Sequence, residues 1–285
     1  MTKVQESTQK FYKSWQNNTH ASFFNTWGSF SNQELKKVYE SFNDIQLLIT
    51  HARAVQGRNF AELGCATGEL YGYISRFLPQ FKYHGFDISQ SGLATAQKKY
   101  PQATFVRCGI DMADTKSLIK KTIGQFPDIL FCRDVVLHQT KPFDFLTDLM
   151  SIPSELLIMR LRTRDQGPTL LDPNLSCQWN YGEWTPYMIL NTDEMIETIK
   201  SNPNVQSAHI LKHYIVLGGQ NNRYLPKDCF YPETGTAETA VAVRIAKEKV
   251  ATPSITIEKA QESAPSYSLV DYAHKGLRKL RTRLF

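Results

Sequence analysis

At 285 residues, with 41% hydrophobic and 21% charged residues, the chain can bury a sizeable core as one main domain with attached segments. Its formal charge of +6 is concentrated at one end: Lys275, Arg278, Lys279, Arg281 and Arg283 against Asp271 supply +4 of it, so the body is near balance and no nucleic-acid partner is called for. Five dispersed cysteines without a C-x-x-C pair exclude a cysteine zinc or dithiol centre, and no signal-peptide core or 18-residue apolar run is present; the expectation is a soluble cytoplasmic protein with no membrane insertion.

Residues 1–30 are polar but dotted with aromatics. Phe11, Tyr12 and Trp15 can share a helical face, and Phe23 and Trp27 stand at i, i+4, so this segment needs a surface to lie on. Ser31 followed by Glu34 is a capping box. Leu35, Val38, Phe42, Ile45, Leu48, Ile49 and Ala52 then recur at spacings of three and four, which predicts one long amphipathic helix over 32–55. Arg53 and Arg58 near its exit most simply face solvent.

From Arg58 the pattern changes to short apolar runs alternating with helical periods. Helices are predicted at 70–78, 90–100, 114–123 and 142–151, and strands at 82–87, 103–107, 129–132 and 155–161. Such alternation predicts a doubly wound parallel sheet with ligands at the carboxyl ends of its strands. The first strand ends in the stretch FAELGCATG, residues 60–68. Phe60, Ala61 and Leu63 suit a buried strand, Glu62 is its polar exception, and Gly64 and Gly68 bracket a turn that lets a ligand approach the backbone. A dinucleotide fingerprint would need glycines where Ala66 and Glu69 stand, and no Gly-Lys-Ser/Thr follows, which excludes a Walker loop.

The second strand ends in Asp87, where a carboxylate can accept both hydroxyls of a ribose, and Ser89 is placed to cap the next helix. Glu62 to Gly68 resembles the first motif of the class I S-adenosylmethionine-dependent methyltransferases, with Ala66 where the family often has its middle glycine. Cys108-Gly109-Ile110-Asp111-Met112 resembles the family's third motif. The resemblance covers residues 58–112. It implies that Leu63, Gly64, Cys65 and Gly68 follow the methionine part of the cofactor and that Glu62 orients its amino acid end. It further implies that Asp87 and Ile88 hold the ribose side, and that Asp111 and Met112 lie at the adenine. Asp114 stands close enough to compete with Asp111. S-adenosylmethionine is then the cofactor and S-adenosylhomocysteine the product.

At the exit of the fourth strand, Phe131-Cys132-Arg133-Asp134-Val135-Val136-Leu137-His138 lacks the Asn/Asp-Pro-Pro-Tyr/Phe motif that the family uses for amide or nucleobase amino groups. The resemblance places Arg133 and Asp134 beside the methionine end of the cofactor, close to the acceptor side, and Asp134 is with His138 a candidate catalytic residue. His138 is the candidate general base, expected at the start of a helix, because imidazole titrates near neutrality. Capping or cofactor contact is its other reading. Arg160, Arg162 and Arg164 alternate at the exit of strand five, where one can neutralise an acidic acceptor or all can form a solvated face. The remaining histidines show no metal-binding pattern, so no metal is assigned.

Residues 164–190, with five Gly or Pro residues, predict a long irregular loop. It leaves the carboxyl end of a strand and carries Trp179, Tyr181, Trp184 and Tyr187, which can line an acceptor site or pack an insertion. Tyr12, Trp15 and Trp27 are further candidates, since segments before the first strand often form a lid in the family. Asn191 and Glu194 predict a capping box ahead of a helix to Lys200, strands are expected at 206–217 and 237–246, and the Pro/Ser/Thr/Glu-rich stretch beyond reads as weakly structured.

The expected organisation is an N-terminal helical cap over 1–56, a core over 57–250 and an extension with a basic tail over 251–285. The expected fold is α/β, a Rossmann-like, doubly wound, seven-stranded, mostly parallel sheet with helices on both faces. The function implied is methyl transfer to a small molecule or short peptide with an apolar or aromatic portion, of the kind met in secondary metabolism. An RNA methyltransferase and a nonenzymatic cofactor-binding module are the alternatives; the oligomeric state stays open.

Overall fold

The computed structural model describes residues 31–180 and 183–260. Tyr12, Trp15, Trp27, Tyr181 and the basic tail lie outside the described residues. Two helices lead in, α1 (Asn32–Glu40) and α2 (Asn43–Ala52). Strand and helix then alternate through β1 (Asn59–Leu63), α3 (Glu69–Phe77), β2 (Lys82–Asp87), α4 (Gln90–Lys99), β3 (Thr104–Arg107), α5 (Met112–Ile123), β4 (Ile129–Arg133), α6 (Pro142–Ser151) and β5 (Leu156–Arg164). After β5 come β6 (Cys177–Asn180), β7 (Glu183–Pro186), β8 (Leu190–Asn191), α7 (Thr192–Lys200), β9 (Val205–Tyr214), β10 (Arg223–Tyr224), β11 (Ala237–Ile245) and β12 (Ser254–Lys259).

The main sheet runs β3-β2-β1-β4-β5-β11-β9-β12, with β8 paired to the end of β5. Strands β1 to β5 are parallel, and β11 inserts antiparallel between β5 and β9. This is the expected doubly wound sheet, extended at its edges. The order reverses between β1 and β4, the switch point at whose carboxyl ends sheets of this kind form their ligand crevice. Alternation along each strand feeds two cores. Phe60, Phe131 and Ile158 point toward α1, α2 and α3, whereas Leu63, Phe86, Leu130 and Met159 point toward α5, α6 and α7. All five cysteines are buried as free thiols.

The N-terminal caps form as their residues dictate. Ser31 and Glu34 make the reciprocal capping box, and Ser89 caps α4 by accepting the Gly92 N–H at 3.1 Å. Asn191 caps α7, but the Glu194 carboxylate accepts from the Thr169 hydroxyl at 2.7 Å instead of turning back to the cap.

Three sequence expectations are corrected. The single helix over 32–55 is broken: Ser41 ends α1, and Phe42 adopts an extended backbone (φ −81°, ψ 134°) before α2 begins. The cause is tertiary, since the Phe42 ring lies 4.9 Å from the Arg133 guanidinium and 5.1 Å from that of Arg160, its partner on the adjacent strand. The stretch 164–190 is not wholly irregular, because β6 and β7 form an antiparallel hairpin that β10 joins in a separate small sheet. Within the extension expected to be weakly structured, β12 pairs parallel with β9 from Ser254↔Ser207 to Lys259↔Lys212, with Ile255 packed on the core.

If β12 is an integral strand, a chain ending at Val250 should melt several degrees below one ending at Ala260. Each kcal/mol corresponds to roughly 2–4 °C for a domain of this size. Equal melting temperatures for the two truncations would show that the strand contributes nothing to stability.

Candidate functional site

Backbone geometry builds the crevice first. The turn after β1 needs left-handed residues at Gly64 (φ 85°) and Gly68 (φ 74°), and Ala66 (φ 47°) is forced into the same region despite its side chain. The Gly64 and Cys65 N–H groups both donate to the Phe86 carbonyl, at 2.8 and 3.1 Å, which folds the turn over the end of β2. There Asp87 receives it. Its Oδ2 accepts the Ala66 N–H at 2.8 Å, and its Oδ1 accepts the Ser89 N–H at 2.7 Å. The carboxyl is buried, and burial raises its pKa against those backbone donors. The Ile88 N–H adds a third backbone donor, and of the four lone-pair sites of a carboxylate room is left for a further one.

Glu62 is buried beneath the turn on the α1/α2 face, where its carboxylate accepts the Tyr83 hydroxyl. Burial pushes its pKa up to about 8, although Tyr83 and Arg133 both favour the ionised form. Arg133 does not neutralise it directly. Its Nε and Nη2 donate to the two Asp44 oxygens at 2.5 and 3.0 Å, and Asp44 is fully buried at the first turn of α2. The Arg133–Asp44 pair thus clamps the lead-in helices onto the exit of β4.

Asp134 follows with a left-handed backbone (φ 54°). Arg160 donates to it through Nε at 3.0 Å and again through Nη2, and Arg162 Nη1 donates at 3.0 Å. Burial alone would raise the Asp134 pKa, but the two arginines hold it well below the usual carboxylate range. Arg162 also pairs with Glu238 at 2.9 Å, and Arg164 pairs with Asp228 at 2.5 Å. The reading of these three arginines as a solvated face is therefore corrected: Arg160, Arg162 and Arg164 are 4%, 6% and 1% exposed.

His138 closes a short 3-10 turn, Val136–His138, and does not start α6. Its Nδ1 is 2.7 Å from the Pro186 carbonyl, which can only accept, so the proton sits on Nδ1 and Nε2 carries the lone pair. Burial pushes its pKa down to about 4, leaving the ring neutral at physiological pH. Tyr187, next to Pro186, is buried; its hydroxyl accepts from Arg162 Nε at 3.0 Å and its ring lies 4.7 Å from the Arg223 guanidinium. Trp179 and Trp184 oppose each other across β6 and β7, edge to face at 5.5 Å, and are nearly half exposed.

Of the third-motif residues, Asp111 is exposed and caps α5, its Oδ1 accepting the Ala113 and Asp114 N–H groups at 2.8 and 3.0 Å. Ile88 and Met112 pack partly on the core. Sequence reasoning missed Tyr83, Asp44 and Glu238, whose partners lie on other elements. No group of three or more metal-ligating side chains occurs among the described residues.

Replacing Asp134 with Asn keeps the shape and a residue that tolerates φ 54°, but removes the charge facing two buried arginines. The variant should be less stable by about 3 kcal/mol at pH 7 in urea titrations. Because the folded pKa is depressed, this stabilisation is full above the ordinary aspartate range and fades only as the pH falls below it, so the difference should shrink in strong acid. Equal stability at pH 7 would remove the charge argument.

No protein-family model matches the sequence, and no curated protein matches it. Solved structures do. The 4+2 cyclase SpnF aligns with a TM-score of 0.50 at 13% identity, covering 86% of this chain and 97% of that one. The O-methyltransferase of a trans-AT polyketide synthase multienzyme from Brevibacillus brevis, in complex with S-adenosylhomocysteine, gives 0.49 at 13% identity over 80% and 78%. Magnesium protoporphyrin IX methyltransferase from Synechocystis PCC 6803, with bound SAM, gives 0.47 at 14% identity over 86% and 98%. With its strand order, its glycine turn at the switch point and a backbone shared with SpnF at this level, the chain has a Rossmann-like, doubly wound fold.

Proposed function

We propose that the chain is an S-adenosylmethionine-dependent methyltransferase acting on a small molecule or short peptide with an apolar or aromatic portion. The observation that carries this reading is the turn Gly64–Gly68 held over Asp87 by the Ala66 N–H, with a buried Glu62 beneath it. The fit to the cofactor is chemical. Asp87 offers its remaining lone pair to a ribose hydroxyl, and Glu62 is a buried carboxylate whose nearest cation, Arg133, is already bound to Asp44, so it lacks the positive partner that an amino acid ammonium supplies. Leu63, Gly64, Cys65 and Gly68 would follow the methionine part, Ile88 would lie beside Asp87, and Asp111 and Met112 would meet the adenine. Arg133 keeps Nη1 for the carboxylate end.

When bound, the cofactor supplies an electrophilic methyl group on a sulfonium, open to in-line displacement. The protein's part is alignment and exclusion of water. Asp134, ionised and fixed by Arg160 and Arg162, can accept a hydrogen bond from the acceptor without taking its proton. His138, neutral and held through Nδ1 by the Pro186 carbonyl, has a lowered pKa that makes it a better orienting group than a proton sink. Tyr187 forms a wall between Arg162 and Arg223, and Trp179 and Trp184 extend an aromatic surface outward.

Calorimetry with S-adenosylhomocysteine and NAD tests the cofactor. Asp87→Ala removes a charged hydrogen-bonding group worth about 1.5–3 kcal/mol and should weaken S-adenosylhomocysteine by roughly tenfold or more. Unchanged affinity in a folded variant would sink the assignment, and tight binding of NAD would sink the whole reading. Mass spectrometry of reactions with candidate acceptors separates a methyltransferase from a module that binds without turnover.

The aromatic surface is tested separately. Alanine at Trp179 or Trp184 should lower methyl-transfer efficiency while S-adenosylhomocysteine affinity stays within about threefold, below roughly 1 kcal/mol. Their partial exposure makes a large stability loss the unexpected outcome. Unaltered acceptor kinetics in both variants would remove these residues from the substrate wall.

A further inference from the structure

On β2, Gly85 stands opposite Glu62 in the register and Tyr83 stands opposite Phe60. A Cβ at position 85 would lie 2.8 Å from Cys65 Sγ, so the place beside Glu62 carries no side chain. The hydroxyl that reaches the Glu62 carboxylate therefore comes from one step back along the same face, from Tyr83, and it is the only side-chain hydrogen bond to that carboxylate among the described residues. Tyr83 and Glu62 are each 5% exposed. The tyrosine ring is fixed independently of its hydroxyl, stacked on Phe60 at 5.8 Å and packed against Tyr71 at 5.3 Å and Phe105 at 6.0 Å.

The electrostatic surroundings of Glu62 leave it short of a cation. Facing it are Arg133 and Cys132 from β4, Asp44 from α2, Tyr39 from α1, Asp87 from β2 and Cys65 from its own turn. The positive charge of Arg133 is shared with Asp44, and Asp87 adds a further acid. The Tyr83 hydroxyl is the neutral donor that favours the ionised carboxylate in this setting.

Resting on the cofactor reading above, we propose that Tyr83 is a positioning residue whose hydroxyl eases the ionisation of Glu62, and that seating the ammonium end of the cofactor drives off whatever proton Glu62 still carries. The proton leaves the carboxyl for solvent, and the ammonium takes its place as the charge partner. Tyr83 does not touch the reacting atoms; it acts through Glu62.

The pairing without ligand is measured by carbon-13 NMR titration of the Glu62 carboxyl, assigned with Glu62→Gln. In the wild-type protein the midpoint should lie near pH 8. In Tyr83→Phe, which keeps the ring and its packing, it should move up by about one pH unit, since the lost donor favoured the charged form. A wild-type midpoint in the ordinary carboxylate range, or an unmoved midpoint in a folded Tyr83→Phe, would overturn the proposal. If Tyr83→Phe fails to fold, the ring-carbon Cζ shift of Tyr83 in the wild-type protein decides the matter: it should move with the Glu62 midpoint, and a shift that does not follow it would overturn the pairing.

The ligand arm uses S-adenosylhomocysteine calorimetry at pH 8 in buffers of different ionisation heat, with Glu62→Gln subtracting the titration of the ligand's own amine. Wild-type protein should release about half a proton per ligand bound, and Tyr83→Phe about 0.9. Binding with equal proton release in both proteins would overturn the coupling. No S-adenosylhomocysteine binding by wild-type protein at any pH would instead defeat the cofactor reading, with the NMR titration still deciding whether Tyr83 governs Glu62.

Discussion

A buried guanidinium must be met by a carboxylate, and this requirement, imposed three times along one face of β5, ties the crevice together. Arg160 and Arg162 fix Asp134 in a left-handed conformation, Arg162 also reaches Glu238 on β11 and Tyr187 beyond the hairpin, and Arg164 holds Asp228 in the loop after β10. The same logic one strand over joins Arg133 to Asp44 on α2. Charges from four parts of the chain are thereby committed to one another. The region around these pairs is polar in composition but near neutral in sum, with aromatic rings of Phe42 and Tyr187 laid against the guanidinium planes.

The two halves of the crevice differ in what they still lack. Along β5 each of Asp134, Glu238 and Asp228 has its arginine, so the charges there are already satisfied within the protein. At the ends of β1 and β2, Glu62 has a hydroxyl but no directly bonded cation among the described residues, and Asp87 is held by backbone donors. The electrostatics are thus left to be completed at one end only.

What the sequence made legible was local. Gly64, Gly68 and Asp87 lie within 25 residues and carry their meaning in spacing and strand position, and the Ser31, Ser89 and Asn191 caps follow from residues three apart. What it hid was long-range. Asp134 lies 26 residues from Arg160, and Asp44 lies 89 from Arg133, so nothing in the arginine alternation distinguished a buried ladder from a wet one. The helix break at Phe42 is invisible for the same reason: helical periodicity continues through it, and only the two guanidinium planes that receive its ring take it out of helical geometry. In β12 the Pro/Ser/Thr composition outweighed Ile255 and Ile257, which show an apolar residue at every second position.

The placement of β11 between β5 and β9 has a consequence for how the chain is made. During synthesis β5 and β9 emerge before the strand that separates them, so the nascent sheet has an open edge at β5 with Arg162 still lacking Glu238. Direct pairing of β9 with β5 at that stage would occupy the slot that β11 must take, and slow non-local strand insertion of this kind is where chains aggregate or need a chaperone. Insertion of β11, and with it the pairing of Arg162 with Glu238, therefore waits for residues 237–245 to leave the ribosome, and β12 closes the edge of the sheet later still.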